Sequence, residues 1–380
     1  MDAGPPKDVS VRTIGREWLR IGATGFGGPP VHIAMLRALC VERRRWISAE
    51  QFERGVAMAN LLPGPASTQL SIYCAWLLRG TAGALVGAAG FILPGLALII
   101  ALAAVFLSSA PPHLLLAAGL GAAAAVPAVA VRAGLDLALP AVRRVGGSDR
   151  ARTVIYLAAG AAAAATLGPY LVLVLLACGA IELVLTAPTL PRGPLALLAA
   201  VPATGGAAAL AWTALKVGGL SFGGGFVIVP LMQSDAVSVH HWLTQQQFVN
   251  AVALGQVTPG PVLQTVAVVG YGAGGVGGAL LAAAVAFTPS IAFVLGVAPH
   301  VERLVANRRV AAFIAGASPA AAGAIIGAAV PLGRALAQDW QLALLAAATV
   351  ALLAARRRAL PVLLACAAAG LAVVALGGPL

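Results

Sequence analysis

Asn60-Leu61-Leu62-Pro63-Gly64-Pro65-Ala66-Ser67-Thr68 returns later in the chain as Gln256-Val257-Thr258-Pro259-Gly260-Pro261-Val262-Leu263-Gln264, a shift of 196 residues (259 − 63). Pro-Gly-Pro cannot continue a helix. Each proline lacks an N–H and disfavours helical backbone at the residue before it. Both copies nevertheless sit inside apolar sequence. Broken backbone survives at membrane depth only where protein buries it or where it lines a polar cavity. Two such breaks at matching places in two halves are the sequence mark of a transporter's binding site.

The composition agrees. The 380 residues are 60% hydrophobic and 9% charged, with a mean hydropathy of +0.95, whereas soluble domains carry about 25% charged residues. Net charge is +12, but the arginines fall in short loops between apolar runs. That pattern reads as topology and not as nucleic-acid binding. The start, 1–20, is charged and does not read as a secretory signal. Cys40, Cys74, Cys178 and Cys366 are isolated, without metal-ligand or redox spacing, and read as small apolar fillers. No nucleotide or metalloprotease motif is found, so no cofactor and no enzyme is expected.

The repeat runs without a gap from 17–65 onto 213–261. Trp46 matches Trp242, Gln51 matches Gln247, Phe52 matches Phe248, and Phe26-Gly27-Gly28 matches Phe222-Gly223-Gly224. Arg20 falls on Lys216. In chain order, 9–24 is amphipathic with Arg12, Arg16 and Arg20 on one face. A break follows at 25–30, then a short helix over 31–41 and a charged loop, Glu42-Arg43-Arg44-Arg45. Ser48 is placed to cap the next helix, with Gln51 three residues on. That helix, 49–62, is too short to cross a bilayer. It predicts a re-entrant hairpin over 49–78 with Pro63 and Pro65 at its tip, a broken full span being the alternative. Spans follow at 81–107, 113–131, 152–167 and 169–187, with a linker span at 195–210. The second half repeats the plan, with breaks at Gly223 and Gly224 and at Pro259 and Pro261, and spans at 276–298, 310–330, 340–355 and 359–376.

Loop charge changes sides between the halves. Arginines fill 42–45 and 132–152, while 108–113 has no lysine or arginine. In the second half 236–241 has none, while the loops near 303–309 and 356–358 are basic. By the positive-inside rule the repeats are inverted, with Arg334 the one exception. The expected fold is therefore an all-α polytopic membrane protein of two inverted-topology repeats, with broken or re-entrant helices at the tips. The divisions are 1–193, a linker at 194–211, and 212–380.

Phe26-Gly27-Gly28-Pro29 with His32, the Glu42-Arg43-Arg44-Arg45-Trp46 loop, Asn60-Leu61-Leu62-Pro63-Gly64-Pro65 and Phe91-Ile92-Leu93-Pro94-Gly95 resemble the chromate ion transporter family. So do Phe222-Gly223-Gly224-Gly225 and Gly255-Gln256-Val257-Thr258-Pro259-Gly260-Pro261. The resemblance covers nearly the whole chain. It implies a multi-pass inner-membrane protein that exports chromate by secondary transport and confers chromate resistance, with sulfate as an analogue substrate. Ala66 departs from the family, where a polar residue, often Asn, is expected after the second proline.

A tetrahedral dianion needs N–H donors and positive charge. The helix after Pro65 offers N–H groups at Ala66, Ser67 and Thr68, and the helix after Pro261 offers those of Val262, Leu263 and Gln264, each with the positive end of its dipole. Gly64 and Gly260 bring the backbone close. Ser67, Thr68, Gln69, Gln264 and Thr265 can add side-chain bonds. Asn60 and Gln256 either face the cavity or cap the broken backbone. Arg20 and Lys216 are candidates to neutralise the dianion, with snorkelling the rival role, above all for Arg20. His32 either carries a proton or bonds within the structure. Gly27, Gly28, Gly223 and Gly224 permit breaks or close packing. Expected partners are chromate or sulfate, the lipid bilayer, protons and a second copy in a homodimer, with no nucleic acid. A passive oxyanion channel on the same scaffold is the alternative function, and a membrane-bound chromate reductase a third that lacks any motif.

Overall fold

A computed structural model describes residues 9–167, 170–186, 205–221 and 228–379. The expected breaks at Gly223 and Gly224, and 194–204 of the expected linker, lie outside the described residues. Those that are described form helices and their connections, and no strand.

The first half opens with α1 (Val11–Thr24), capped by the Ser10 hydroxyl accepting from the Thr13 N–H. Its apolar face buries Ile14, Trp18 and Ile21 while Arg12, Arg16 and Arg20 stay exposed. The chain breaks at Gly27 and Gly28, whose φ values of +108° and +75° suit glycine. It resumes as α2 (Pro29–Arg37), which ends in a π-helical turn over 38–43. Next comes α3 (Ala49–Leu61), started by the expected capping box of Ser48 and Gln51.

α4 (Ala66–Phe106) is two limbs joined at Arg79 and Gly80, where the backbone leaves the helical region and Gly80 has φ +56°. A Cβ added at Gly55 would touch the rings and methyls of Tyr73 and Leu70. Residues 55 and 73 lie equally far from the tip at Gly64, so α3 and limb 66–78 are antiparallel. One added at Gly87 would touch Ala75, so the chain doubles back again at Gly80. The 49–78 segment is therefore a re-entrant hairpin rather than a broken span. α3, at 13 residues, is about 20 Å long, against a hydrocarbon core of about 30 Å. Limb 81–106 is the first full crossing.

α5 (His113–Arg144), α6 (Gly147–Thr166) and α7 (Leu171–Thr186) complete the half. The expectation that α5 ends near 131 was wrong. Arg132 pairs with Asp136 one turn on, at 2.9 Å, and donates to the Leu352 carbonyl at 2.9 Å. With these charges satisfied, the helix continues beyond the apolar run.

The second half reproduces this local structure closely. α8 (Ala207–Gly219) takes the place of α1, and its start absorbs the last part of the expected linker. α9 (Ile228–Gln233) leads into a π-helical turn at 234–239, the counterpart of 38–43. His241 has φ +53°, as its counterpart Arg45 has +50°. α10 (Gln245–Val257) opens on a capping box of Thr244 and Gln247, matching Ser48 and Gln51. α11 (Thr265–Val297) is bent at Gly274 and Gly275 as α4 is at Arg79 and Gly80. α12 (Val301–Val305), α13 (Arg308–Gly327), α14 (Ala329–Arg334), α15 (Asp339–Thr349) and α16 (Ala359–Ala375) follow.

Beyond the tips the repeat offset is 195 rather than 196: Gly80 matches Gly275 (275 − 80), Pro94 matches Pro289 (289 − 94), and Gln69 matches Gln264 (264 − 69). One residue is missing between Pro261 and Gln264. The second tip accordingly resumes through a tighter 3-10 turn, Val262–Gln264.

The halves run in opposite senses. Limb 81–106 leads away from the end of the bundle that holds the start of α3, so 108–113 lies at the far end. Its counterpart in the second half begins near Val301, yet Glu302 is ion-paired with Arg54 of α3. Arg132 meets Leu352 near that same end. At the other end, Gln245 donates to the Pro331 carbonyl and Gln341 to the Leu120 carbonyl, each at 3.1 Å. The basic loops thus share one end although they occupy non-equivalent places in the repeat.

Inter-helix packing relies on small residues. A Cβ at Gly323 of α13 would lie 1.8 Å from the Leu157 carbonyl oxygen of α6, and one at Gly160 lies 1.8 Å from that of Ala320. Lipid removes the hydrophobic drive between helices, so close backbone approach supplies the contact instead. The outward positions carry exposed Leu85, Leu93, Leu98, Ile155 and Leu173, as a lipid-facing surface requires.

Candidate functional site

The two tips meet crosswise the residues that follow α1 and α8. The Gly64 N–H donates to the Ser221 carbonyl at 3.0 Å, and the Gly260 N–H to the Gly25 carbonyl at 3.0 Å. Gly25 and Ser221 are equivalent (221 − 25 = 196). Each half therefore holds the other's re-entrant tip by the same backbone bond. Gly64 and Gly260 have φ of +129° and +90°, which the tight turn between two prolines demands and only glycine adopts without strain.

Each tip is braced by a glutamine from the limb that follows it. Gln69 donates to the Pro63 carbonyl at 2.7 Å, and Gln264 donates to the Pro259 carbonyl at 2.8 Å and to the Thr258 hydroxyl at 2.9 Å. Both side chains are fully buried. His32, fully buried, bonds the Gly25 carbonyl at 2.8 Å through Nε2. A carbonyl only accepts, so that nitrogen carries the hydrogen. The His32 ring also meets Phe91 edge-on, with centroids 5.0 Å apart. His32 therefore takes the structural bond considered for it, beside the second tip.

Other sequence candidates fall in three places. Ser67 and Thr68 are buried at the start of limb 66–78, and Thr265 at the start of α11. The Thr265 hydroxyl is spent on the Val262 carbonyl at 2.8 Å. Thr68 and Gln264 do not offer the free backbone N–H groups expected of them. These groups donate to the Pro65 and Pro261 carbonyls at 2.9 and 3.0 Å, because both limbs open with a tight first turn. Ala66, Ser67, Val262 and Leu263 remain in the first turn, where helix N–H groups have no intrahelical acceptor. Arg20 and Asn60 are exposed, and Gln256 is half-buried with its amide nitrogen buried and unpartnered.

Lys216 is paired from outside its own helix. Its amine pairs with Asp235 at 2.5 Å, and Thr213 donates to the same carboxylate oxygen at 2.8 Å. The side chains of Lys216 and Asp235 are 20% and 6% exposed. Sequence reasoning missed Asp235 because it lies 19 residues after Lys216 (235 − 216 = 19), in a π-helical turn whose counterpart in the first half is apolar Leu39 (235 − 39 = 196). It also missed Ser221 and Ser290, both fully buried with hydroxyls that have no partner. Ser290 Oγ lies 2.9 Å from the place a Gly64 Cβ would take. The available signal was the pairing of Ser290 with Gly95, visible only once the 195 offset is recognised.

Two clefts open at opposite ends of the bundle. One of about 450 Å³ is lined by Gln51, Arg54, Tyr73, Trp76, His300 and Arg303. The other, about 340 Å³, is lined by Thr166, Gln233, Ser234, Gln245 and Arg334 among others. No tip residue lines either. The tips are enclosed, which suits a site reached only after a conformational change.

A family model described as Chromate transporter matches residues 12–183 and 208–373. The chain is 33% identical to a chromate transport protein of Cupriavidus metallidurans over 357 residues, covering 90% of this chain and 88% of that one. It is 33% identical to a probable chromate transport protein of Synechococcus elongatus, covering 86% and 85% of the two chains. A chromate transport protein of Pseudomonas aeruginosa is 31% identical, covering 84% and 80%. No solved structure matches the chain.

Proposed function

This chain belongs to the chromate transporter family, and we propose that it exports chromate, and sulfate as an analogue, across the inner membrane by alternating access. The observation that carries the mechanism is the crossed pair of backbone bonds, Gly64 to Ser221 and Gly260 to Gly25. Each re-entrant tip is held by the opposite repeat, so relative motion of the repeats must exchange both contacts together. Clefts at both ends of a bundle with enclosed tips suit that reading. Oriented by the positive-inside rule, the basic end with Arg54 and Arg303 faces the cytoplasm.

The dianion is received by first-turn N–H groups and side chains at the tips, from Gly64, Ser67, Thr68, Gln69, Gly260 and Gln264, with Gln256 nearby. Lys216 supplies charge when it parts from Asp235. Arg20 and Asn60 act outside the buried cluster, on the approach. The proton motive force drives the cycle, no nucleotide motif being present in the sequence. A homodimer and the division at 1–193, 194–211 and 212–380 belong to the same proposal.

Purified protein reconstituted into liposomes tests it. Labelled chromate is expected to cross faster than in empty liposomes and to be slowed by excess sulfate. Equal rates with and without protein would refute the reading.

A further inference from the structure

We infer that the oxyanion is bound at the first tip, Pro63-Gly64-Pro65, and that the second repeat supplies two of its donors, the hydroxyls of Ser221 and Ser290. The second tip is a structural hinge. This inference rests on the transport reading above and narrows where that reading puts the substrate.

Inverted repeats lead one to expect a symmetric site shared by both tips. The backbone is symmetric, but the side chains around it are not. Ser221, whose carbonyl receives the Gly64 N–H, and Ser290, whose Oγ lies beside Gly64, occupy at the first tip the positions equivalent to Gly25 and Gly95 at the second (221 − 25 = 196; 290 − 95 = 195). At the first tip, therefore, two hydroxyls stand where the second has only hydrogen. Both serines are fully buried, and neither Oγ has a partner. The Thr68 hydroxyl, also fully buried at the N-terminus of limb 66–78, is unpartnered too. Buried hydroxyls without partners are costly and call for an explanation. Three of them around one helix N-terminus match the donor set a tetrahedral oxyanion needs.

The side-chain donors bracing the second tip are engaged within the protein, and what Gln264 and His32 leave unpartnered there are the acceptors Oε1 and Nδ1, which an anion cannot use. Gln264 makes two bonds where Gln69 makes one, because Thr258 stands where the first half has Leu62. The Gly25 carbonyl that receives Gly260 is fixed by His32. Gly95 packs so closely that an added Cβ would lie 2.1 Å from the Pro259 carbonyl oxygen. The buried, unpartnered donor nearest in sequence to this tip is the Gln256 amide nitrogen, against three hydroxyls at the first.

Charge follows the same asymmetry. Lys216 lies on α8, whose end leads directly to Ser221, and is largely buried against Asp235. Its equivalent, Arg20 on α1, is exposed. The cation retained inside the protein is therefore the one whose helix leads to the first tip.

The test is direct binding of radiolabelled chromate, with sulfate as competitor, to the full chain in lipid nanodiscs. Ser221→Ala and Ser290→Ala are each expected to weaken chromate binding about tenfold, the effect of one hydrogen bond to a charged ligand. Thr258→Val, at the second tip, where the hydroxyl is engaged by Leu254 and Gln264, is expected to stay within about twofold. Ser290→Cys keeps the side-chain shape with only a weak S–H donor. It is expected to weaken binding as Ser290→Ala does, and it reports on the hydroxyl if the alanine variant does not fold. Wild-type binding left intact by the folded serine variants would overturn the inference alone, as would a loss in Thr258→Val equal to theirs. A wild-type protein that binds neither chromate nor sulfate would overturn the transport reading and the inference with it.

Discussion

Removing Lys216 alone should destabilise the protein more than removing Lys216 and Asp235 together with their charges. The Asp235 side chain is 6% exposed, and among the described residues its partners are Lys216 and the Thr213 hydroxyl. Lys216→Met strands that carboxylate, and breaking a buried pair from one side costs about 3–5 kcal/mol. Asp235→Asn should cost less, about 1–2 kcal/mol, because the stranded lysine is 20% exposed and can be hydrated in part. In Lys216→Met/Asp235→Asn no charge is left uncompensated, so the double variant should recover about 2 kcal/mol relative to the sum of the singles. The assay is unfolding of the four proteins of the cycle in one detergent. Coupling below about 0.5 kcal/mol, the level of independent sites, would refute the view that these residues are a buried pair. The double variant also separates two roles of Lys216. If its charge serves the substrate, the folded double variant should lose chromate transport. Transport retained in it would confine Lys216 to structure.

Other consequences follow from the same contacts. Gly64→Ala should destabilise more than Gly260→Ala in thermal unfolding. Both force a Cβ into positive φ, at about 1–2 kcal/mol, but at Gly64 the new atom also falls 2.4 Å from Gln69 Nε2, whereas at Gly260 its nearest neighbour is at 3.4 Å. Gly323→Ala should separate α6 from α13 and cost about 1–3 kcal/mol, read as a lowered unfolding temperature. Inversion predicts that Glu42→Cys and Arg308→Cys react with an impermeant thiol reagent from one side of the membrane and Ser108→Cys from the other. Labelling of all three from one side would contradict the described path. Glu302→Gln, which breaks an exposed pair with Arg54, should change stability by less than about 1 kcal/mol.

The re-entrant tips were legible in the sequence because proline and glycine act locally: nothing outside Pro63-Gly64-Pro65 is needed to stop a helix there. The capping box at Ser48 is local in the same way and formed, and the structure adds its counterpart at Thr244. Inversion was legible because arginine position reports topology directly. The site was harder to read. The missing residue after Pro261 shifts the register, so Gln69 and Gln264 were not recognised as equivalent, nor were Gly95 and Ser290. Asp235 reaches Lys216 from a separate π-helical turn, 19 residues on (235 − 216 = 19), and neither helical nor strand periodicity links positions so separated. The length of α5 was misjudged because Arg132 reads as a loop charge until Asp136 and the Leu352 carbonyl are seen to satisfy it.

The central claim, an energised chromate carrier, is tested most directly by chromate flux into inverted membrane vesicles with and without an uncoupler. The account predicts uphill accumulation that the uncoupler abolishes. Flux that only follows the chromate gradient and ignores the uncoupler would contradict it and favour a passive channel on the same scaffold.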